Sequence, residues 1–179
     1  MIKLHLGCGK RNFGPSWTHI DGGDFEHLHS HNIINLPFDD NSVDIIYACH
    51  VLEYFDREEA AEVLGVWYDK LAVGGTLRLA VPDFETMVKL YRADAVTLDS
   101  LLGPLYGKML MGQDTIYHKT VYDYSSLKQL LELVGFNNVD RYQWTQTEHS
   151  GHDDHSQAYI PHMDKDNGTL ISLNVECIK

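Results

Sequence analysis

The chain has 179 residues, 44% of them hydrophobic, which is enough for one domain, residues 1–179, with a proper core. Aspartate and glutamate outnumber lysine and arginine 26 to 14, and the net charge of −12 disfavours nucleic acid or an anionic membrane surface as a partner. No apolar run approaches the ~20 residues of a membrane span. Three well-separated cysteines (Cys8, Cys49, Cys177) form neither a disulfide framework nor a zinc spacing and suit a reducing cytoplasm.

The opening residues run straight into strand-like sequence, so no leader peptide is expected. Ile2, Leu4 and Leu6 alternate with Lys3 and His5, and the run stops at Gly7-Cys8-Gly9. Two glycines around a small residue let the backbone turn sharply and bare its N–H groups. A short strand, Trp17 to Ile20, then ends in Asp21. A glycine turn after one parallel strand and a carboxylate closing the next is the layout of a nucleoside site, the carboxylate accepting the ribose hydroxyls. The dinucleotide fingerprint G-x-G-x-x-G is broken by Asn12. Only eleven residues separate Gly9 from Asp21, with Gly14-Pro15 among them, which leaves no room for a full crossover helix.

Gly22-Gly23 and the histidine-rich HLHSH (His27, His29, His31) lead into a minimal third strand, Asn32 to Asn35, and a loop from Leu36 to Ser42. Val43 to Ala48 reads as a buried parallel strand opening onto Cys49-His50-Val51-Leu52-Glu53-Tyr54-Phe55. Asp56 and Glu59 have capping-box spacing, and Ala60, Val63, Leu64, Trp67, Tyr68 and Leu71 form one helical face. Gly74-Gly75 should end that helix, Thr76 to Val81 is the next strand, and Pro82-Asp83-Phe84 turns into a helix from about Glu85 to Arg92. Strands and helices in this succession indicate an open α/β sheet.

The second half is less regular. Residues 95–111 read as helix broken at Gly103-Pro104, and 112–124 as a polar, aromatic loop over the site. Ser126-x-x-Gln129 starts another helix that Gly135 stops. Residues 138–144 and 170–178 are the last strands, joined by a polar connection carrying His149, His152, His155 and His162.

The blocks LHLGCGK, WTHID, LPFDDNSVDIIYACHVLEYF, WYDKLAVGGTLRLAVPDF and YHKTVYDYSSLKQLLELVGFNNV resemble, in order, the class I S-adenosylmethionine-dependent methyltransferases, in particular small bacterial methyltransferases of the type 11 kind. The resemblance implies a Rossmann-like α/β fold: a seven-stranded, mostly parallel sheet of order 3-2-1-4-5-7-6, the last strand antiparallel, with helices on both faces. It implies S-adenosylmethionine as cofactor. Gly7 and Gly9 would then admit its methionine part, Asp21 would hold the ribose hydroxyls, Asn32 would face the adenine amino group, the segment Cys49 to Tyr54 would pass near the sulfonium, and Cys8, Gly22 and His50 would be further cofactor contacts. Asn32 stands where an acid is common, and Tyr54 where relatives usually have a second histidine.

An oxygen acceptor also needs a group to take its proton. His118, in the aromatic YHKT segment, and Asp83, at a strand end, are the catalytic candidates. Their plainer readings are a loop histidine and a helix cap. The plainer reading of His50 is a residue that shapes the pocket, and Cys8 and Cys49 are expected to pack rather than react. The alternating His27, His29 and His31, and His149-x-x-His152-x-x-His155 with Asp153 and Asp154, match no standard zinc spacing, so no metal is expected. A branched side chain at Gly7 is expected to block the cofactor while leaving the fold intact. Expected, then, is a cytoplasmic methyltransferase acting at oxygen on a small molecule or glycan. The rivals are an NAD(P)-binding oxidoreductase and a non-catalytic cofactor- or metal-binding module.

Overall fold

A computed structural model describes residues 1–179. Its centre is a six-stranded sheet built from β1 (Lys3–Leu6), β2 (Thr18–Ile20), β3 (Val43–Cys49), β4 (Leu71–Pro82), β7 (Asn137–Arg141) and β10 (Ser172–Ile178). The strand order is β2-β1-β3-β4-β10-β7. The first four run parallel, and β10 is antiparallel to both neighbours. This is the anticipated order with its first strand missing.

That missing strand is a correction with a local cause. Asn32 Oδ1 accepts from the N–H groups of Ile34 and Asn35, both at 2.8 Å, so the side chain folds the backbone into a turn where a strand was expected. The Trp67 indole donates to the Ile33 carbonyl at 2.8 Å. What remains of the edge is one parallel bridge, Ile20 to Ser30.

Alternation along β1 serves two different cores. Leu4 and Leu6 face a cluster with Ile46, Leu77, Leu79 and Leu173, covered by α1 (Arg57–Lys70) and α4 (Tyr124–Val134) through Val63, Leu64, Trp67, Leu127 and Leu131. At about 25 cal/mol per Å² of apolar surface removed from water, this cluster is the main favourable term in folding. His5 points to the other face and stacks on Phe13 at 4.0 Å between ring centroids, with Tyr47, His19 and Trp17 around it. His149 stacks on the far side of Phe13 at 4.9 Å.

The helices begin where side chains take up their free N–H groups. Asp56 caps α1 in a capping box with Glu59. Asp83 caps α2 (Phe84–Arg92), accepting from the Thr86 N–H at 3.2 Å and the Thr86 hydroxyl at 2.9 Å. α4 starts two residues before the expected Ser126, because Asp123 is the cap and Ser126 completes its box. Gly74-Gly75 lies within β4 rather than ending α1: Gly74 takes φ +82°, and a Cβ on Gly75 would press within 2.8 Å of the Ala72 carbonyl.

Two further corrections concern residues 95–124. α3 (Leu98–Tyr106) runs through Gly103-Pro104 and ends on left-handed Gly107, since Pro104 sits in its last turn. The segment read as a loop contains a hairpin, β5 (Met109–Met111) and β6 (Asp114–Ile116), turned at left-handed Gly112. A second small hairpin joins β8 (Tyr159–Ile160) to β9 (Thr169–Leu170).

The histidine core makes stability depend on pH. Burial pushes His19 and His149 down to about 4 and holds His5 well below the ordinary 6.5. An imidazole that resists protonation when folded contributes its full stability above its unfolded pKa, and loses it as pH falls from there toward the folded value. The contribution of these imidazoles to the urea unfolding free energy should therefore be constant above about pH 6.5 and decline between about 6.5 and about 4, on top of the opposite slope from the raised carboxyl of buried Glu53. His149→Phe should flatten part of that decline.

Gly7 behaves otherwise than expected. It takes φ +63°, and a Cβ there would overlap Cγ2 of Val51 within the protein itself. Gly7→Val should thus lower the melting temperature, read by circular dichroism, whether or not a cofactor is present.

Candidate functional site

β1 and β2 end together, and their last residues are tied across the turn. Gly7 N–H donates to the Ile20 carbonyl at 2.8 Å. Gly9 N–H donates to Asp21 Oδ2 at 2.8 Å, and Gly23 N–H to Oδ1 at 2.7 Å. Gly9 has φ +56° and nothing within 4 Å of where its Cβ would lie, so the turn is open there and not at Gly7. No helix intervenes between β1 and β2.

Above this turn lies a cavity of about 1550 Å³, at the carboxyl ends of the parallel strands where open α/β sheets bind ligands. Gly7, Gly9, Asp21, Gly22 and His50 line it, as does His118. Two of the expected cofactor contacts and one catalytic candidate are absent from its wall. Cys8 is buried, with its Sγ 3.7 Å from His27 Nε2, and burial pushes its thiol up to about 12. Asn32 is spent on its own turn, and Ile33 lines the wall instead. Asp83 has its carboxylate turned into the start of α2, with Arg141 Nη1 3.6 Å from Oδ2. It is a cap.

The β5–β6 hairpin closes one side. Met109, Leu110, Met111 and Ile116 line the cavity, and a Cβ on Gly22 would come within 3.1 Å of Met111 Sδ, so the hairpin reaches the turn after β2. The opposite side is the polar connection before β10, from His155 to Met163. Its start is anchored by buried Asp154, which accepts from Tyr47 Oη (2.6 Å), Ser156 N–H (2.9 Å) and Ser156 Oγ (2.6 Å). Asn174 Nδ2 in turn donates to the Ser156 carbonyl at 2.8 Å. This buried network holds His155 at the cavity wall, 5.1 Å from the His50 ring.

The floor carries the groups that can move protons. His118 Nδ1 lies 3.0 Å from the Pro104 carbonyl, in the last turn of α3, and its ring meets Tyr54 edge-on at 4.7 Å. A hydrogen bond to a carbonyl requires Nδ1 to bear the proton, which leaves Nε2 as the basic nitrogen. Burial lowers the pKa of His118, and of His155 likewise. His50 adopts φ +53°, a left-handed conformation rare outside glycine, and burial holds its pKa well below the usual range.

Sequence reasoning missed three contributors. Glu53 is fully buried, 3.4 Å from His50 Nδ1 and 3.8 Å from His118 Nε2. Its signal was available in His50-x-x-Glu53, a three-residue spacing on a single turn after a strand. Arg11 lines the cavity with Nε bonded to the Asp153 carbonyl at 2.9 Å. His155 was read only as part of a metal pattern. The structure divides that pattern: His149 and His152 pack on Phe13, while His155 faces the cavity. Of the earlier triplet, His27 packs edge-on against His19, His29 lies near Phe38, and His31 Nδ1 lies 3.0 Å from the Gly23 carbonyl.

Residues 16–79 match the family model described as a methyltransferase domain. No curated protein matches the chain by sequence. Among solved structures, a SAM-dependent methyltransferase from Archaeoglobus fulgidus superposes with a TM-score of 0.60 at 15% identity, covering 99% of this chain and 85% of that one. A complex between the Haloferax volcanii Trm112 methyltransferase activator and a putative methyltransferase gives 0.54 at 16%, covering 99% and 81%. A Burkholderia thailandensis 1,6-didemethyltoxoflavin-N1-methyltransferase, solved with S-adenosylhomocysteine bound, gives 0.55 at 11%, covering 99% and 70%. This chain therefore has the class I S-adenosylmethionine-dependent methyltransferase fold, and the methyltransferase-domain match falls on its residues 16–79.

Proposed function

We propose that the chain acts as a single domain, residues 1–179, that binds S-adenosylmethionine and methylates a small molecule or glycan, at oxygen. The observation that carries the reading is the turn at the end of β1. Gly9 leaves the backbone bare, and Asp21 presents a carboxylate whose two backbone partners still leave acceptor capacity toward the cavity. Both fit a ribose with its attached chain. Gly7 and Gly22 shape the two ends of that cradle, and His50 stands toward the middle of the cavity. Arg11, whose outer guanidinium nitrogens have no protein partner, suits the carboxylate of the methionine part.

When bound, the cofactor supplies an electrophilic methyl group on a sulfonium. The task left to the chain is to hold the acceptor in line, keep water out and take a proton. The β5–β6 hairpin covers the cavity. Tyr54, Tyr91 and Tyr159 line it and offer ring faces for a sugar or another amphipathic acceptor. His118 Nε2 takes the acceptor's hydroxyl proton. The net charge of −12 argues against nucleic acid as acceptor, and three free, buried cysteines suit a reducing cytoplasm.

Calorimetry should show S-adenosylmethionine and S-adenosylhomocysteine binding at one site per chain, with NAD(P) not competing. Asp21→Ala should weaken both by roughly 2–4 kcal/mol, since two charge-assisted hydrogen bonds to the ribose are removed. Because Asp21 also holds the turn, a melting curve of the free variant separates loss of binding from loss of structure. Unchanged affinity would remove the ribose assignment.

With an acceptor found by screening labelled cofactor against metabolite extracts, His118→Ala should lower turnover by roughly 10²–10⁴-fold with little change in cofactor affinity. Burial lowers the His118 pKa, so the acid limb of the wild-type rate profile should lie below the ordinary imidazole range and vanish in the variant. Equal turnover would assign the proton elsewhere.

A further inference from the structure

We propose that Glu53 is a positioning residue that shares one proton with His118 and His50 beneath the cavity floor, each imidazole turning its unprotonated nitrogen toward it. The inference rests on, and deepens, the reading of His118 as the proton acceptor. Glu53 is outside the cavity wall, so it acts through the two histidines that line it.

Geometry carries the assignment. The Glu53 side chain is 0% exposed, and neither carboxyl oxygen has a hydrogen-bond partner. A buried carboxyl so placed costs free energy in either protonation state unless a neighbour exchanges a proton with it. Two neighbours are near enough, His50 Nδ1 at 3.4 Å and His118 Nε2 at 3.8 Å, both from Oε1. The position is rigid, because the Glu53 carbonyl accepts from Lys119 N–H (2.8 Å) and Thr120 N–H (3.3 Å). The turn carrying Glu53 and His50 is thereby tied to the segment carrying His118.

The surrounding bonds permit one self-consistent direction. Asn174 Nδ2 donates to the Ser156 carbonyl, so Oδ1 is free to accept from Ser172 Oγ at 2.9 Å. Ser172 Oγ then has a lone pair for His50 Nε2–H, at 3.5 Å. That leaves His50 Nδ1 unprotonated and facing Glu53. His118, with its Nδ1 proton on Pro104, likewise turns an unprotonated Nε2 toward Glu53. One acidic proton thus stands between two basic nitrogens: held on the nearer, His50 Nδ1, it leaves His118 Nε2 empty to take the acceptor's proton. The step moves a proton only, and no covalent bond to carbon, oxygen or sulfur changes.

The other groups facing Glu53 do not compete. Tyr122 Oη, from the segment before α4, is buried without a partner, and burial pushes it upward past the usual phenol range. Tyr54 is also raised, to about 12, with its hydroxyl on the Gly107 carbonyl. Cys49 is raised well above the thiol range by burial. Lys119 turns outward to Glu59 at 2.7 Å. Beyond burial, His155 lowers the pKa of both His50 and His118, and Arg11 lowers that of His50, so these neighbours keep the two rings neutral. Burial pushes the Glu53 carboxyl up to about 8, which puts its proton within reach of neutral-pH exchange with an imidazole.

The test uses the whole chain without cofactor, so its outcome is independent of whether S-adenosylmethionine binds. In ¹⁵N-histidine-labelled protein, the ring nitrogens of His50 and His118 should report the tautomers above. Both should move together at one inflection near pH 8, where the Glu53 carboxyl carbon moves too. Glu53→Gln should abolish that shared inflection and leave the other nine histidines unchanged. The proposal is overturned if the inflection persists in Glu53→Gln, or if His50 and His118 titrate independently. Should Glu53→Gln fail to fold, the wild-type carboxyl carbon decides alone. Titration in the ordinary glutamate range overturns the proposal, and titration together with both rings supports it.

Discussion

The structure depends on one carboxylate bonded to two backbone amides. Asp21 accepts from Gly9 N–H on one oxygen and from Gly23 N–H on the other, and so joins the turn after β1 to the turn after β2. Hydrogen bonds from neutral amides to an ionised acceptor are among the stronger ones. Here they hold two glycine-bearing turns that would otherwise have high conformational entropy. Each carboxyl oxygen has a further lone pair. The bonds that build the turn therefore also fix the direction in which its remaining acceptor capacity faces the cavity.

Around that carboxylate the sheet is asymmetric. The leucine face of β1 meets two helices, as in any α/β layer. The His5 face meets Phe13, Trp17 and His149, rings contributed by irregular chain. Neutral imidazoles pack there as flat, partly polar aromatics. Because that face is covered by the segments before β2 and before β10, the connection carrying His155 is held by packing as well as by Asp154. The same layer that supplies stability places one wall of the cavity.

What could be read in the sequence divides along a physical line. Period and caps are local, so β3, the Asp56–Glu59 box and the α2 start all form where the residues indicate. The strand order of the resemblance holds for six strands, and Gly9 and Asp21 do meet. Errors arose where a side chain diverted the backbone or a distant group decided the outcome. Asn32 looked like an adenine contact within a strand, yet its amide oxygen bonds its own backbone and removes both. Gly7 lines the cavity, but the space a side chain would need is filled by Val51, forty-four positions away, so its bareness serves packing within the protein. Gly112-Gln113 lacks the strong Asn-Gly or Asp-Gly signature, so the hairpin was invisible. Glu53 gave a readable spacing, but its complete burial depends on residues 118–120 closing over it.

Glu53 also bears on how the site is to be understood. An acid without a hydrogen-bond partner, next to a histidine held at φ +53°, is costly twice over. A core built for stability alone would favour an apolar side chain at position 53, as it does at Leu52 beside it. Yet the surroundings are arranged to keep the carboxyl dry rather than to relieve it: Lys119, the one cation on the neighbouring segment, is drawn outward to Glu59. A lysine bonded to Glu53 would have fixed its charge and removed it from proton exchange. With that ion pair made elsewhere, the carboxyl keeps a proton near neutrality and its only exchange partners are the two imidazoles at the cavity. The cost in stability is thus concentrated at Glu53, since the other buried acids, Asp83 and Asp154, are hydrogen-bonded, and Asp56, Glu59 and Asp123 cap or pair on outer turns.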